Sequence, residues 1–151
     1  MNTELENISY FIPIINRGMR IYFDTHLEKY HIGWGQHTLL EYIYENPGVI
    51  PQDLTDRYHT KKYVTTRVLK ALYNEGYIAI KADDRDHRSK HLYPTPKSDE
   101  VIECIRQLRL DLSHIFMKNL SAEDLSHLEA TLKHLYDNLT EAAKETFSHE
   151  Q

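Results

Sequence analysis

"VTTRVLKALYNEGYIAIKADDRDHRSKHLYPT", residues 64–95, carries two different periodicities in one run. Up to Gly76, Val64, Val68, Ala71 and Leu72 fall on one side of a helical wheel, and Lys62, Tyr63, Thr66, Arg67, Lys70 and Asn74 fall on the other. Beyond Gly76, "YIAIK" and "KHLYP" are β-prone runs on either side of an aspartate-rich segment, so they read as a hairpin with that segment at its tip. Thr60 reads as the helix N-cap, Gly76 as its left-handed stop, and Pro94 as the end of the second strand, because proline cannot donate to a ladder.

Upstream, "IPQDLTDRY" is a short helix with Pro51 near its start, where a missing N–H costs nothing. A tight turn around His59–Thr60 joins it to the amphipathic helix, which makes a helix–turn–helix. An earlier helix spans about residues 36–45 through Leu39, Leu40 and Ile43, closed by "ENPG". Leu5, Ile8, Ile12, Ile15, Met19 and Tyr22 form a helical stripe interrupted by Pro13, so this first helix should kink or start late. Downstream, Thr95 is expected to cap a helix with Pro96 at its first position, carrying Val101, Ile105, Leu108, Leu112 and Ile115. A last helix carries Leu125, Leu128, Leu132, Leu135, Leu139 and Ala142 behind a Ser121 cap with Asp124 three residues on. The fold class is therefore mostly α with a small β-hairpin wing (α+β). A winged helix–turn–helix core over 31–95 sits between long helical regions, 1–30 and 96–151, in one continuous fold. The terminal helices are longer than a compact core needs, which points to two chains interlocking as a two-fold dimer.

With 151 residues, 40% of them hydrophobic and 27% charged, the chain has the size of one ordinary domain. It has no apolar run approaching a membrane span, and its acidic start "MNTELENISYF" does not read as a secretory signal. The single cysteine, Cys104, agrees with a reducing compartment, so a cytoplasmic protein is expected. Cys104 falls near the apolar stripe of its helix and reads as an inert packed thiol. The net charge of −5 hides an asymmetry: from Arg57 to Lys97 ten basic residues face four acids, a local +6, and the remainder carries −11. A basic middle between acidic flanks suits a module that presents one face to phosphate. Ten histidines show no convincing ligand spacing, so neither metal nor cofactor is expected. Nothing supports an enzyme: there is no paired nucleophile and base and no phosphate-cradling glycine loop.

The chain resembles the winged helix–turn–helix regulators of the multiple antibiotic resistance regulator (MarR) family. The resemblance lies in Thr66–Arg67, the "L…EGYI" from Leu72 to Ile78, the "DxR" of Asp86–His87–Arg88 and Thr95. It extends from "ISYFIPIINRGMR" through "QHTLLEYIYENPG" to "LSAEDLSHLEATLKHL". The family pattern usually has glycine three residues after the threonine; here it is Ser98, a change expected to affect only the local helix start.

The resemblance implies a homodimeric, sequence-specific regulator of transcription, acting as a ligand-responsive repressor on a pseudo-palindromic operator. Its recognition helix would enter the major groove and its wing the minor groove. Lys62, Tyr63, Thr66 and Arg67 would read or position against bases, Lys61 and Lys70 would bind phosphate, and Arg85, Arg88 and Lys90 would act from the hairpin. Asp86 would aim Arg88 toward the minor groove, which explains an acid in a DNA-facing tip. Asp83 and Asp84 favour the turn and weaken indiscriminate binding. Tyr22, Tyr30, Trp34 and Tyr42 would line a pocket for a small aromatic or phenolic effector. The alternative is a winged-helix protein-interaction module that does not bind DNA.

Overall fold

The computed structural model describes residues 3–82 and 90–147. Helix α1 (Thr3–Leu27) is followed by a 3-10 turn (Glu28–Tyr30), α2 (Trp34–Glu45), α3 (Pro51–Arg57) and α4 (Lys62–Asn74). Strands β1 (Ile78–Ala82) and β2 (Lys90–Pro94) then precede α5 (Ser98–Met117) and α6 (Ala122–Phe147). Two compact units result, Met1–Arg109 and Leu110–Gln151, with the boundary inside α5.

In the first unit, α2 packs on α1, α4 and β2, and α3 packs on α4. Leu39, Leu40, Ile43, Leu54, Leu69, Leu72, Ile78 and Leu92 supply the buried apolar centre. The strands pair antiparallel with Ile78 opposite Pro94 and Ala82 opposite Lys90. Val49 adds one further bridge to Leu92, and the His91 imidazole bonds the Gly48 carbonyl at 2.7 Å, so the loop before α3 is stitched to the hairpin.

Several boundaries differ from those expected. α1 runs from Thr3 through Pro13 as one helix, because twenty-five residues supply flanking turns to carry one missing hydrogen bond. α2 begins at Trp34 because Asp24 of α1 accepts the Trp34 N–H at 2.6 Å and Gln36 accepts the Gly33 N–H at 2.7 Å. Lys61, not Thr60, occupies the N-cap of α4 without a side-chain cap, since the Thr60 hydroxyl is engaged by Thr65 at 2.8 Å. Gly76 adopts the left-handed conformation expected of it, with φ +78°.

Thr95 does not cap α5, which starts at Ser98 after a turn through Pro96 and Lys97. The Thr95 hydroxyl instead donates to the Gly76 carbonyl at 2.6 Å, and the Ser98 hydroxyl donates to the Tyr77 carbonyl at 2.5 Å. Lys97 reaches the Glu75 carbonyl. Ser98 is fully buried, so the change from the family's glycine adds an interaction instead of merely adjusting a helix start.

The second unit begins in the last turns of α5 and contains α6, whose start carries the expected reciprocal cap: Ser121 N–H donates to Asp124 at 2.8 Å and Asp124 N–H to the Ser121 hydroxyl at 3.1 Å. Leu128, Leu132, Leu135 and Leu139 are exposed along this helix. Among the described residues no helix is long and apolar enough to cross a membrane.

Removing the buried Ser98 hydroxyl strips a donor from the Tyr77 carbonyl. Ser98→Ala is expected to lower stability by about 1–3 kcal/mol in urea unfolding; an unchanged midpoint would show that the hydroxyl contributes nothing.

Candidate nucleic-acid interface

Helix α4 turns its residues in two directions. Thr65, Leu69 and Leu72 are buried, with Val64, Val68 and Ala71 half-buried beside them. The inward stripe is thus centred on 65, 69 and 72, one step round from the set expected at 64, 68, 71 and 72. A threonine at its head disguises that stripe, and the four-residue step from Thr65 to Leu69 was the available signal. The outward face is as expected: Lys61, Lys62, Tyr63, Thr66, Arg67, Lys70 and Asn74 are all exposed.

That face contains no acid between Lys61 and Asn74. Among the described residues none of Lys61, Lys62, Arg67 and Lys70 has a carboxylate ion-pair partner, whereas Arg106 and Arg109 pair with Glu45 and Glu41 of α2. Unspent cations on one helix face create the potential that attracts phosphate. The Thr66 hydroxyl donates to the Lys62 carbonyl at 2.8 Å. Its single proton is therefore committed, and Thr66 offers a partner an acceptor oxygen and a methyl group. Tyr63 is 67% exposed at the start of the helix.

The joint between α3 and α4 is polar. Thr55 and Thr65 hydroxyls lie 3.1 Å apart, Thr60 and Thr65 2.8 Å apart, and Thr55 reaches the Pro51 carbonyl at 3.1 Å. The Thr55 hydroxyl is placed to donate to both the Thr65 hydroxyl and the Pro51 carbonyl, and Thr60 closes the cluster on Thr65. The turn beside it is sharp: His59 has φ +48°.

On the hairpin, Lys90 is exposed opposite Ala82, and Lys81 lies 4.9 Å over the Tyr93 ring. Arg85, Asp86 and Arg88, with Asp83, Asp84 and His87, lie outside the described residues.

Residues 32–89 match the profile of the MarR family. Over that segment the chain is similar to MarR-family proteins. The chain is 26% identical over 144 residues to the HTH-type transcriptional regulator BilQ of Clostridioides difficile, covering 95% of this chain and 97% of that one. A solved MarR protein from Peptoclostridium difficile superposes with a TM-score of 0.83 at 28% identity, over 88% of this chain and 87% of the other. A MarR-family regulator from Listeria monocytogenes, solved with a 26mer DNA, shares the fold with a TM-score of 0.80 at 23% identity, over 87% and 88%. The fold is that of winged-helix MarR proteins.

Of the four aromatic residues assigned to an effector pocket, Tyr22 and Trp34 share one neighbour, and Tyr30 and Tyr42 have other surroundings. Tyr22 and Trp34 both pack edge-on against Phe23, at 6.0 and 5.6 Å between centroids. Tyr30 donates to Glu100 at 2.9 Å, and its carbonyl accepts the Tyr77 hydroxyl at 2.8 Å. Tyr42 faces Tyr58 and the Arg57 guanidinium. A shallow cavity of about 490 Å³, lined by Asp24, Thr25, Glu28, His31, Ile32 and Gly33, includes none of the four.

Beside Phe23 lies a histidine that nothing in the sequence sets apart from the other nine. His37 is 2% exposed, stacks flat on Phe23 at 4.3 Å, and its Nδ1 makes no hydrogen bond to a described residue. Burial pushes its pKa down from 6.5 to about 4, with the Arg109 charge adding to the effect. The ring is therefore neutral at neutral pH. An unfolded chain takes up this proton first, so stability is full above pH 6.5 and falls as pH drops toward 4. The loss is at most about 3 kcal/mol, and His37→Leu should flatten it. Urea midpoints compared above and below this window check the assignment; parallel pH profiles for the two proteins would contradict it.

Proposed function

We propose that the protein is a sequence-specific DNA-binding transcriptional regulator, a ligand-responsive repressor that grips a pseudo-palindromic operator as a homodimer in the cytoplasm. The observation that carries this reading is the acid-free, fully exposed front of α4, whose cations lack ion-pair partners among the described residues. Within it, Lys62, Tyr63, Thr66 and Arg67 work against base edges, and Lys61 and Lys70 against phosphates. Arg85, Arg88 and Lys90 extend the contact from the hairpin, with Asp86 aiming Arg88. The Listeria structure with DNA supports the same use of the fold.

Dimer formation is supported by apolar side chains that each unit leaves in water. Ile8, Phe11, Ile12 and Ile15 are exposed on α1, and Leu128, Leu132, Leu135 and Leu139 on α6. Exposed rows of this kind mark protein interfaces. The dimerisation region comprises 1–30 and 96–151, and 31–95 is the DNA-binding region. Two copies of α4 would then meet successive turns of one duplex. A small aromatic or phenolic effector relieves repression; Tyr22 and Trp34 around Phe23 support an aromatic ligand at the α1–α2 junction.

A gel shift against DNA upstream of the protein's own gene tests the reading. Affinity should fall by about three to five decades between about 50 and 200 mM salt if six to ten phosphates are neutralised. Arg67→Ala and Arg88→Ala should each weaken specific binding by about 1–3 kcal/mol with the fold intact. Absence of any duplex binding would favour a protein-interaction module instead. Leu132→Glu should yield a monomer by light scattering and abolish operator binding; a wild-type protein that is already monomeric at micromolar concentration would refute the dimer.

A further inference from the structure

We propose that Arg57 is a DNA phosphate-binding residue, held ready by an aromatic shelf built from Tyr42 and Tyr58. The proposal rests on the DNA-binding reading and adds to it a contact outside α4 and the hairpin. Arg57 is the last residue of α3 and is exposed. Its guanidinium carbon lies 4.7 Å from the Tyr42 ring centroid and 5.9 Å from that of Tyr58. The two rings meet edge to face at 6.2 Å, and the Tyr58 hydroxyl reaches the Thr38 carbonyl at 3.4 Å. Side chains from α2 and the end of α3 thus converge on one cation.

The carboxylates nearest in sequence are committed elsewhere. Asp53 accepts the Ile50 N–H at 3.0 Å, and Asp56 accepts the Gln52 side-chain amide at 2.7 Å. Among the described residues Arg57 has no ion-pair partner. A guanidinium over ring faces gains cation–π attraction while its N–H donors stay unspent, and that planar fork matches the oxygens of a phosphodiester. The shelf also removes much of the rotamer freedom that a free arginine would lose on binding.

Placement ties the residue to the recognition helix. Two residues before it, Thr55 contacts Thr65 of α4 at 3.1 Å, and the turn after it leads directly to Lys61 and Lys62. Arg57 is therefore an exposed cation joined through α3 and one short turn to the helix that carries Lys62, Arg67 and Lys70. Tyr42, which the effector assignment placed in a pocket, acts here as a positioning residue.

Fluorescence anisotropy with the upstream duplex and a scrambled duplex, across a salt series, tests the proposal. Arg57→Gln should weaken binding to both duplexes alike, by roughly tenfold, and reduce the slope of log affinity against log salt by about one. Arg57→Lys should retain the slope. Tyr42→Leu should weaken binding while keeping the charge and hence the slope, and Tyr42→Phe, which keeps the ring, should restore affinity. Thermal melts of all four should match wild type, since each residue change is at or near the surface. Wild type that binds while Arg57→Gln matches it in affinity and slope would overturn the proposal and leave the DNA reading intact. Wild type that binds neither duplex would overturn the DNA reading itself. Tyr42→Leu indistinguishable from wild type would overturn the shelf.

Discussion

Everything about the candidate interface depends on how α4 is held. Its back must bury Thr65, Leu69 and Leu72, while its front keeps Lys62, Arg67 and Lys70 in water. Burial fixes the rotation of the helix about its axis, and polar bonds fix its two ends. At the start, the threonine chain joins it to α3. Just past its end, Lys97, Thr95 and Ser98 donate to the carbonyls of Glu75, Gly76 and Tyr77 in turn. A helix anchored in this way can present its charges in one direction without reorganising when it meets DNA.

A second joint links α1 to the winged region. Asp24 caps α2 from α1, and Phe23 stacks on His37 and packs against Trp34. A neutral imidazole suits this position, because a positive charge buried near the start of α2 would oppose both the helix dipole and Arg109. The same α2 is tied to α5 by Glu41–Arg109, Glu45–Arg106 and the Tyr44 hydroxyl on Asp99 at 3.0 Å. α2 therefore contacts both flanking helices of the first unit as well as β2 and α4.

The helices, the paired strands and the exposed face of α4 were legible because they rest on periodicity and on turn residues: β-prone runs at 77–81 and 90–94, Gly76 as a left-handed stop, Pro51 at a helix start. What escaped the sequence was the destination of hydroxyls. Thr60 and Thr95 have the chemistry of caps, yet tertiary partners claim both: Thr65 in one case and the Gly76 carbonyl in the other. Ser98 looked like a neutral departure from a family glycine and is fully buried with a bond to Tyr77. His37 could not be separated from nine other histidines without knowing that Phe23 lies beneath it. Arg57 entered only as one charge among ten, since cation–π pairing across helices leaves no local signature.

The central claim is that the front of α4 is the surface that meets DNA. Amide resonances followed by NMR as the upstream duplex is added give the most direct test. The account predicts the largest shifts and broadening in residues 61–70 and in the hairpin. Amides of α4 that stay in place at saturating duplex, with the changes confined to other elements, would contradict it.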